Sequence, residues 1–170
     1  MKLKRFLFAG CFDKRGRILL VIKKKEEISG IYLPGGKVSK GDLSPGNETW
    51  RRSFLAKRIK NQTGYVGVLK NGKPIPIIEN VQPIPATYNV NICNQEYSAI
   101  IVGIVNGKTK EGLPASAAIF YGFKDFMHCV KAGFISPMQE LLILRIFVSR
   151  DNPNKNNRKL AAVELMKKHK

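Results

Sequence analysis

Two apolar runs open the chain, Phe6-Leu7-Phe8-Ala9-Gly10-Cys11-Phe12 and Ile18-Leu19-Leu20-Val21-Ile22, and neither alternates with polar residues. Unbroken apolar runs of this length predict strands buried on both faces. Gly16 in the polar stretch between them supplies a turn, so the two are expected to form a hairpin. Lys23-Lys24-Lys25-Glu26-Glu27 returns the chain to solvent before Ile31-Tyr32-Leu33 meets a Pro-Gly-Gly turn. Residues 39–49 hold Gly41, Asp42, Ser44, Pro45, Gly46 and Asn47, all turn or loop formers, and predict a long loop. At Trp50 the period changes. Trp50, Phe54, Leu55 and Ile59 fall on one helical stripe, Gly and Pro are absent through Thr63, and Gly64 follows as a left-handed stop. Asn47 or Thr49 can cap the start.

Beyond this helix the pattern returns to strands, at Tyr65–Leu69, Ile75–Val81, Thr87–Ile92, Tyr97–Val105 and Ala115–Tyr121. Asn71-Gly72 suits a tight hairpin turn between the first two, and Pro74 and Pro76 demote the second to an edge strand. A short helix is expected over Lys124–Lys131. Ser136-Pro137-Met138-Gln139 then reads as a helix start, with a Ser cap, Pro in the first position and Gln three residues on to complete a capping box. That helix runs through Leu141, Leu142, Leu144, Ile146 and Phe147 to about Val148. The stretch Asp151–Asn157 breaks it, and Leu160, Val163 and Met166 space out a basic C-terminal helix or frayed tail. The expected organisation is one domain over 1–150 and a basic segment over 151–170.

Composition adds a partner class. The 170 residues, 44% of them apolar, suit a single domain with its own core. The net charge is +18 and unevenly placed: residues 1–60 carry 16 Lys/Arg against 5 Asp/Glu, residues 61–140 carry 6 against 5, and residues 141–170 carry 8 against 2. Basic ends attract phosphate-bearing partners, nucleic acid and acidic membrane surfaces among them, although a solvated basic surface has the same composition. Cys11, Cys93 and Cys129 are odd in number and widely spaced, which indicates neither a disulfide framework nor a zinc site. The apolar run after Met1-Lys2-Leu3-Lys4-Arg5 ends at Asp13. It is too short for a membrane span and has no small-residue cleavage site after it, so no membrane span and a cytoplasmic location are expected.

Leu33-Pro34-Gly35-Gly36-Lys37-Val38, followed by a helix closing at Gln62-Thr63-Gly64-Tyr65, resembles the Nudix box. The family's box reads Gly, five residues, Glu, seven residues, then Arg-Glu-apolar-x-Glu-Glu-x-Gly-apolar. Anchored at its front, Gly36 is the first Gly and Asp42 the first Glu. Anchored at its back, Gly64 is the last Gly, Ile59 the apolar site and Tyr65 the closing residue, and an insertion of seven residues separates the two registers. The resemblance implies an α/β fold, the Nudix-like α/β/α sandwich with a mixed sheet. It also implies hydrolysis of a nucleoside diphosphate linked to another moiety, with Mg²⁺ held by the helix glutamates. In this chain those glutamates fall on Arg58, Asn61 and Gln62, and the preceding Arg on Lys57.

Positions 58, 61 and 62 are i, i+3 and i+4 and share one helix face. Mg²⁺ needs hard oxygen ligands with at least one or two carboxylates, whereas this face offers one guanidinium and two amides. No metal is expected there and no cofactor, and catalysis is expected to be impaired. The same donors suit a phosphate, so the expected ligand site is Gly35, Gly36, Lys37, Lys57, Arg58, Asn61 and Gln62, taking a nucleotide or another phosphate-bearing small molecule. A plain solvated helix face competes with that reading. An active Mg²⁺-dependent hydrolase needs its acids from Asp42, Glu48 or Glu111, and Glu111 is where some Nudix domains place a late catalytic base. A nucleic-acid-binding or scaffolding protein acting through its basic ends is a further alternative. His128 reads as a packed helix residue and His169 as a solvated one, and neither supports a catalytic triad.

Overall fold

The computed structural model describes residues 2–25, 28–40, 50–79, 88–109 and 117–150. The first strand, β1 (Lys4–Phe12), is buried from Leu7 onward, and its successive side chains enter two different cores. Phe8 and Phe12 join Ile18, Leu20, Leu33 and Ala99 beneath the helices α2 (Phe123–Lys131) and α3 (Pro137–Arg150), which contribute Phe126, Leu142 and Ile146. Leu7, Ala9 and Cys11 face the other way, against Phe54, Leu55 and Ile59 of α1 (Trp50–Thr63). A strand covered on both sides has no polar face, which is why the run does not alternate. The domain is an α/β/α sandwich with a mixed sheet.

Strand partnering departs from the local reading. β1 and β2 (Ile18–Lys25) are antiparallel neighbours with the register pair Phe12↔Ile18, but the long partner of β1 is the distant β8 (Gln95–Lys108), which runs parallel to it from Lys4↔Gln95 to Phe12↔Ile104. β2 pairs instead with β3 (Ile28–Tyr32) and β9 (Ala117–Tyr121). The expected two-stranded hairpin is therefore the place where two longer pairings meet. β8 also carries the hairpin partner β7 (Tyr88–Ile92) and, at its far end, β5 (Tyr65–Lys70). The short strand β4 (Gly35–Lys37) lies antiparallel to β1.

Two other expectations are met in detail and one is trimmed. α1 spans the segment its apolar stripe marks, and Gly64 ends it at φ 83°. Asn71 and Gly72 have φ of 51° and 74°, the doubly left-handed turn that joins β5 to the edge strand β6 (Lys73–Pro76). β6 then stops short, and Ile77–Glu79 forms a 3₁₀ turn where the strand was expected to run on. Pro74 and Pro76 have no N–H to extend a ladder. His128 is on α2 as expected but is exposed, not packed. No helix among the described residues is long and apolar enough to cross a membrane. Asn47, Thr49 and the segment 151–170 lie outside the described residues.

Candidate ligand-binding site

The Pro-Gly-Gly turn is fastened from three directions. From β1, the Ala9 N–H donates to the Pro34 carbonyl at 2.8 Å, and the Arg5 carbonyl accepts the Val38 N–H at 2.8 Å. Between these two bonds, Phe6, Leu7 and Phe8 pair with Lys37, Gly36 and Gly35. From α3, Gln139 Oε1 accepts the Leu33 N–H at 2.9 Å, with the glutamine itself buried. From α1, Gln62 Oε1 accepts the Gly35 N–H at 2.8 Å while Gln62 Nε2 donates to the Gly35 carbonyl at 2.9 Å. A side-chain amide thus pairs with a peptide group as another peptide would.

Gln139 shows what the local reading of a helix start misses. Half of the expected capping box is present, because Ser136 Oγ accepts the Gln139 N–H at 3.3 Å. The Gln139 side chain does not return to Ser136. It reaches a turn 106 residues away in sequence. A buried N–H without a partner costs about 1–3 kcal/mol, and that penalty at Leu33 outweighs one exposed cap bond.

Both glycines of the turn are in conformations that suit glycine, Gly35 at φ 136° and Gly36 at φ 153°, but their surroundings differ. A Cβ on Gly35 would lie 2.2 Å from the Leu7 carbonyl oxygen and 2.7 Å from Phe8 Cα, so no side chain fits. Among the described residues, a Cβ on Gly36 would meet the Arg58 guanidinium alone, at 3.8 Å. Gly36 therefore opens on a space roofed by Arg58. The guanidinium lies over the Phe54 ring, 5.2 Å from its centroid, and its bond to the Lys37 carbonyl is long, at 3.5 Å.

Of the residues expected at this site, Gly35, Gly36, Lys37, Arg58 and Gln62 meet directly. Gln62 is present as a fastener of the Gly35 peptide, with both polar atoms of its amide engaged, and so differs from the free donor that was expected. Lys57 and Asn61 are exposed on α1 beside them. Asp42, Glu48 and Glu111 lie outside the described residues. Lys2 and Lys40 extend the cationic surface beyond Lys37. The Lys40 side chain holds the Lys2 ammonium below its ordinary range.

The described side chains of the α1 face do not by themselves fit a divalent cation. Of the three α1 positions, one carries a permanent positive charge, one an amide already paired to the main chain, and one an exposed amide. Among the described residues no group of three or more His, Cys, Asp or Glu could hold a metal ion. A separate cavity of about 200 Å³ lies beyond the C-terminal end of α1, between Tyr65, Phe120, Asn106 and Asp13. None of the described site residues lines it. Its Asp13 carboxylate accepts from Arg15 N, Arg17 N and Arg17 Nε at 3.0, 2.9 and 2.7 Å, which makes it a turn-former. Burial, and then the Asp13 charge, raise the Tyr65 phenol above its ordinary range.

Known proteins resemble this chain in architecture. A Nudix hydrolase from Nitrosomonas europaea superposes with a TM-score of 0.60 over 88% of this chain and 91% of its own, at 14% sequence identity. The E. coli ORF135 protein gives 0.58 over 92% and 96%, at 15% identity. An ADP-ribose pyrophosphatase from Streptococcus suis gives 0.52 over 88% and 93%, at 18% identity. The chain has the Nudix fold. No family model matches it, and no curated protein matches it. The Nudix likeness is therefore one of fold, carried by a turn, a helix and a sheet order.

Proposed function

We propose that this Nudix-like domain binds a nucleotide or another phosphate-bearing small molecule directly, through cationic and main-chain donors and without a bridging metal, and that it is catalytically impaired. The observation that carries this reading is the double hydrogen bond from Gln62 to Gly35. A glutamate at that position could accept the Gly35 N–H but, when ionised, could not donate to the Gly35 carbonyl. The amide thus has a task there that a carboxylate metal ligand cannot perform.

The remaining groups suit an anion. Arg58 lies over the Phe54 ring and its hydrogen bond to the Lys37 carbonyl is long, so among the described residues its planar fork can turn toward a phosphate above Gly36. Gly36 permits close approach of the ligand to the main chain, and Lys37, Lys57 and Asn61 are exposed on the same strand and helix. Hydrolysis needs a group to activate water, and neither the turn nor the described face of α1 supplies a carboxylate or an imidazole. One of the fold neighbours is named an ADP-ribose pyrophosphatase, which is consistent with a nucleoside diphosphate as the ligand class.

The test is a melting-temperature series with pyrophosphate, nucleoside diphosphates and ADP-ribose, each run with Mg²⁺ and with EDTA. Stabilisation should rise with the logarithm of ligand concentration and be equal in the two conditions. Arg58→Glu should lower the affinity in EDTA by about tenfold or more, since a charge-assisted pair becomes a repulsive one. Release of product from any nucleotide only when Mg²⁺ is present would replace this reading with that of an active hydrolase.

A further inference from the structure

The cavity beyond the C-terminal end of α1 lies apart from the turn, and the phosphate-binding reading gives it no role. Its volume is about 200 Å³. β5, β8 and β9 line it with half-buried apolar side chains, Leu69, Ile104 and Phe120. The Phe120 and Tyr65 rings meet edge to face, with centroids 5.9 Å apart. An apolar cavity of about 150 Å³ holds one benzene molecule, so this one has room for a single ring and a small polar group.

The polar groups of the lining are mostly donors. Asn106 Oδ1 accepts the Gly107 N–H at 2.8 Å, which leaves both hydrogens of its Nδ2 unused among the described residues. Tyr65 makes its contacts through the ring, with Phe120 and with the Lys108 ammonium 5.9 Å from its centroid. Among the described residues its hydroxyl has no hydrogen-bond partner. Burial, and then the Asp13 charge, keep that phenol protonated and therefore a donor at neutral pH. Lys14 adds an exposed ammonium. The acceptor of the lining, the Asp13 carboxylate, is already engaged with three N–H groups, one of them on the Arg17 guanidinium at 2.7 Å. With Asp13 paired to Arg17, Lys14 and Lys108 leave the surroundings positively charged among the described residues.

We propose that this cavity binds a small carboxylate on an apolar body of about one ring. The ring lies against Leu69, Ile104 and Phe120, and the carboxylate accepts from Asn106 Nδ2, the Tyr65 hydroxyl and the Lys14 ammonium. Donors outnumber free acceptors, so the ligand must bring acceptor oxygens. The local charge favours an anion over a neutral amide or an amine. None of the described residues of the turn or of the α1 face lines the cavity, so the inference stands independently of the phosphate reading.

The full chain, with its nitrogen isotopically labelled, is titrated with benzoate, benzamide, benzylamine and acetate, following backbone and side-chain amide resonances. Benzoate should bind saturably in about the millimolar range, as suits so small a ligand, and should shift the Asn106 side-chain amide. Benzamide, its neutral isostere, and acetate, which has no ring, should each bind about tenfold more weakly, and benzylamine should not bind. Tyr65→Phe keeps the ring and removes the hydroxyl, while Asn106→Asp keeps the acceptor for the Gly107 N–H and turns the donor into a charge. The first should weaken benzoate about tenfold and the second about a hundredfold, each with a melting temperature near the parent's. Benzylamine binding as well as benzoate would mean that Asp13 sets the ligand class, and acetate matching benzoate would mean a surface ion pair; either result overturns the site. Benzoate binding that neither variant weakens lies elsewhere on this basic chain and overturns it too, as does no binding at all. None of these outcomes bears on the phosphate cleft, which is read separately with pyrophosphate.

Discussion

The Leu33–Val38 turn and the α1 face beside it form one site, yet they are constrained by different things. The turn is held by main-chain atoms and buried amides: β1 on one side, Gln139 from α3 and Gln62 from α1 on the others. On the helix face, Lys57 and Asn61 are exposed, and among the described residues Arg58 has a long hydrogen bond and a ring beneath it. Changing a held atom in the turn disturbs three elements at once, while changing a side chain on the face disturbs mainly the local charge. Backbone geometry and site chemistry are thus separable in this molecule. A Nudix fold persists around a face whose charge is opposite to the one a divalent cation needs.

The largest effect is expected at Gly35. Gly35→Ala places a Cβ 2.2 Å from a carbonyl oxygen of β1 at a φ of 136°, and neither strand can move without uncoupling both cores. The cost should exceed about 4 kcal/mol, seen as loss of the cooperative urea transition or of soluble protein. Gly36→Ala meets no such wall among the described residues. Its cost should be confined to the backbone, about 1–3 kcal/mol, with the fold intact. Equal losses at the two glycines would mean that the turn is not pinned from the β1 side.

Much of this contrast was legible in the residues themselves, and what was not is long-range. The α1 stripe of Phe54, Leu55 and Ile59, the Gly64 stop and the Asn71-Gly72 turn depend on neighbours within a few residues, and each falls where the local pattern puts it. The partner of β1 does not follow from local pattern, because β8 lies some ninety residues on and an apolar run carries no mark of which strand it will pair with. Gln139 is the clearest case. Its place after Ser136 reads as a cap, and only the folded chain brings the Leu33 N–H within 2.9 Å of it. Gln62 was legible as a site position but not as a fastener, since the atom it binds belongs to the turn that the helix must first reach.

An intermediate effect is expected where turn and face meet. Gln62→Glu keeps the shape of the side chain and the acceptor for the Gly35 N–H but replaces a donor with a charged oxygen facing the Gly35 carbonyl. The loss should be about 1–3 kcal/mol at neutral pH. Its pH dependence follows from the sign of the interaction. The carbonyl disfavours the ionised acid and accepts a bond from the protonated one, so the folded-state value of the introduced carboxyl lies above its unfolded value of about 4.3. A group raised on folding contributes its stability below the unfolded value and loses it as pH rises through the folded one. The variant should therefore approach the parent's stability near pH 4 and fall behind it toward neutrality, in paired denaturant titrations. A constant difference across that range would mean that the Nε2 bond contributes nothing.

The smallest effect on stability, and the one that separates the two regions most cleanly, is expected on the exposed face. Asn61→Ala and Lys57→Ala remove side chains that stand in solvent, so each should shift unfolding by no more than about 0.5 kcal/mol. Ligand affinity should respond differently. Lys57→Ala removes one positive charge from the rim, which should weaken phosphate binding severalfold at low ionic strength and hardly at all in high salt, because screening cancels what an exposed charge contributes. Asn61→Ala removes a neutral donor, so its loss should not depend on salt. Stability losses at these two positions as large as those at the turn would show that the face is packed, and the division between a fixed turn and a free face would fail.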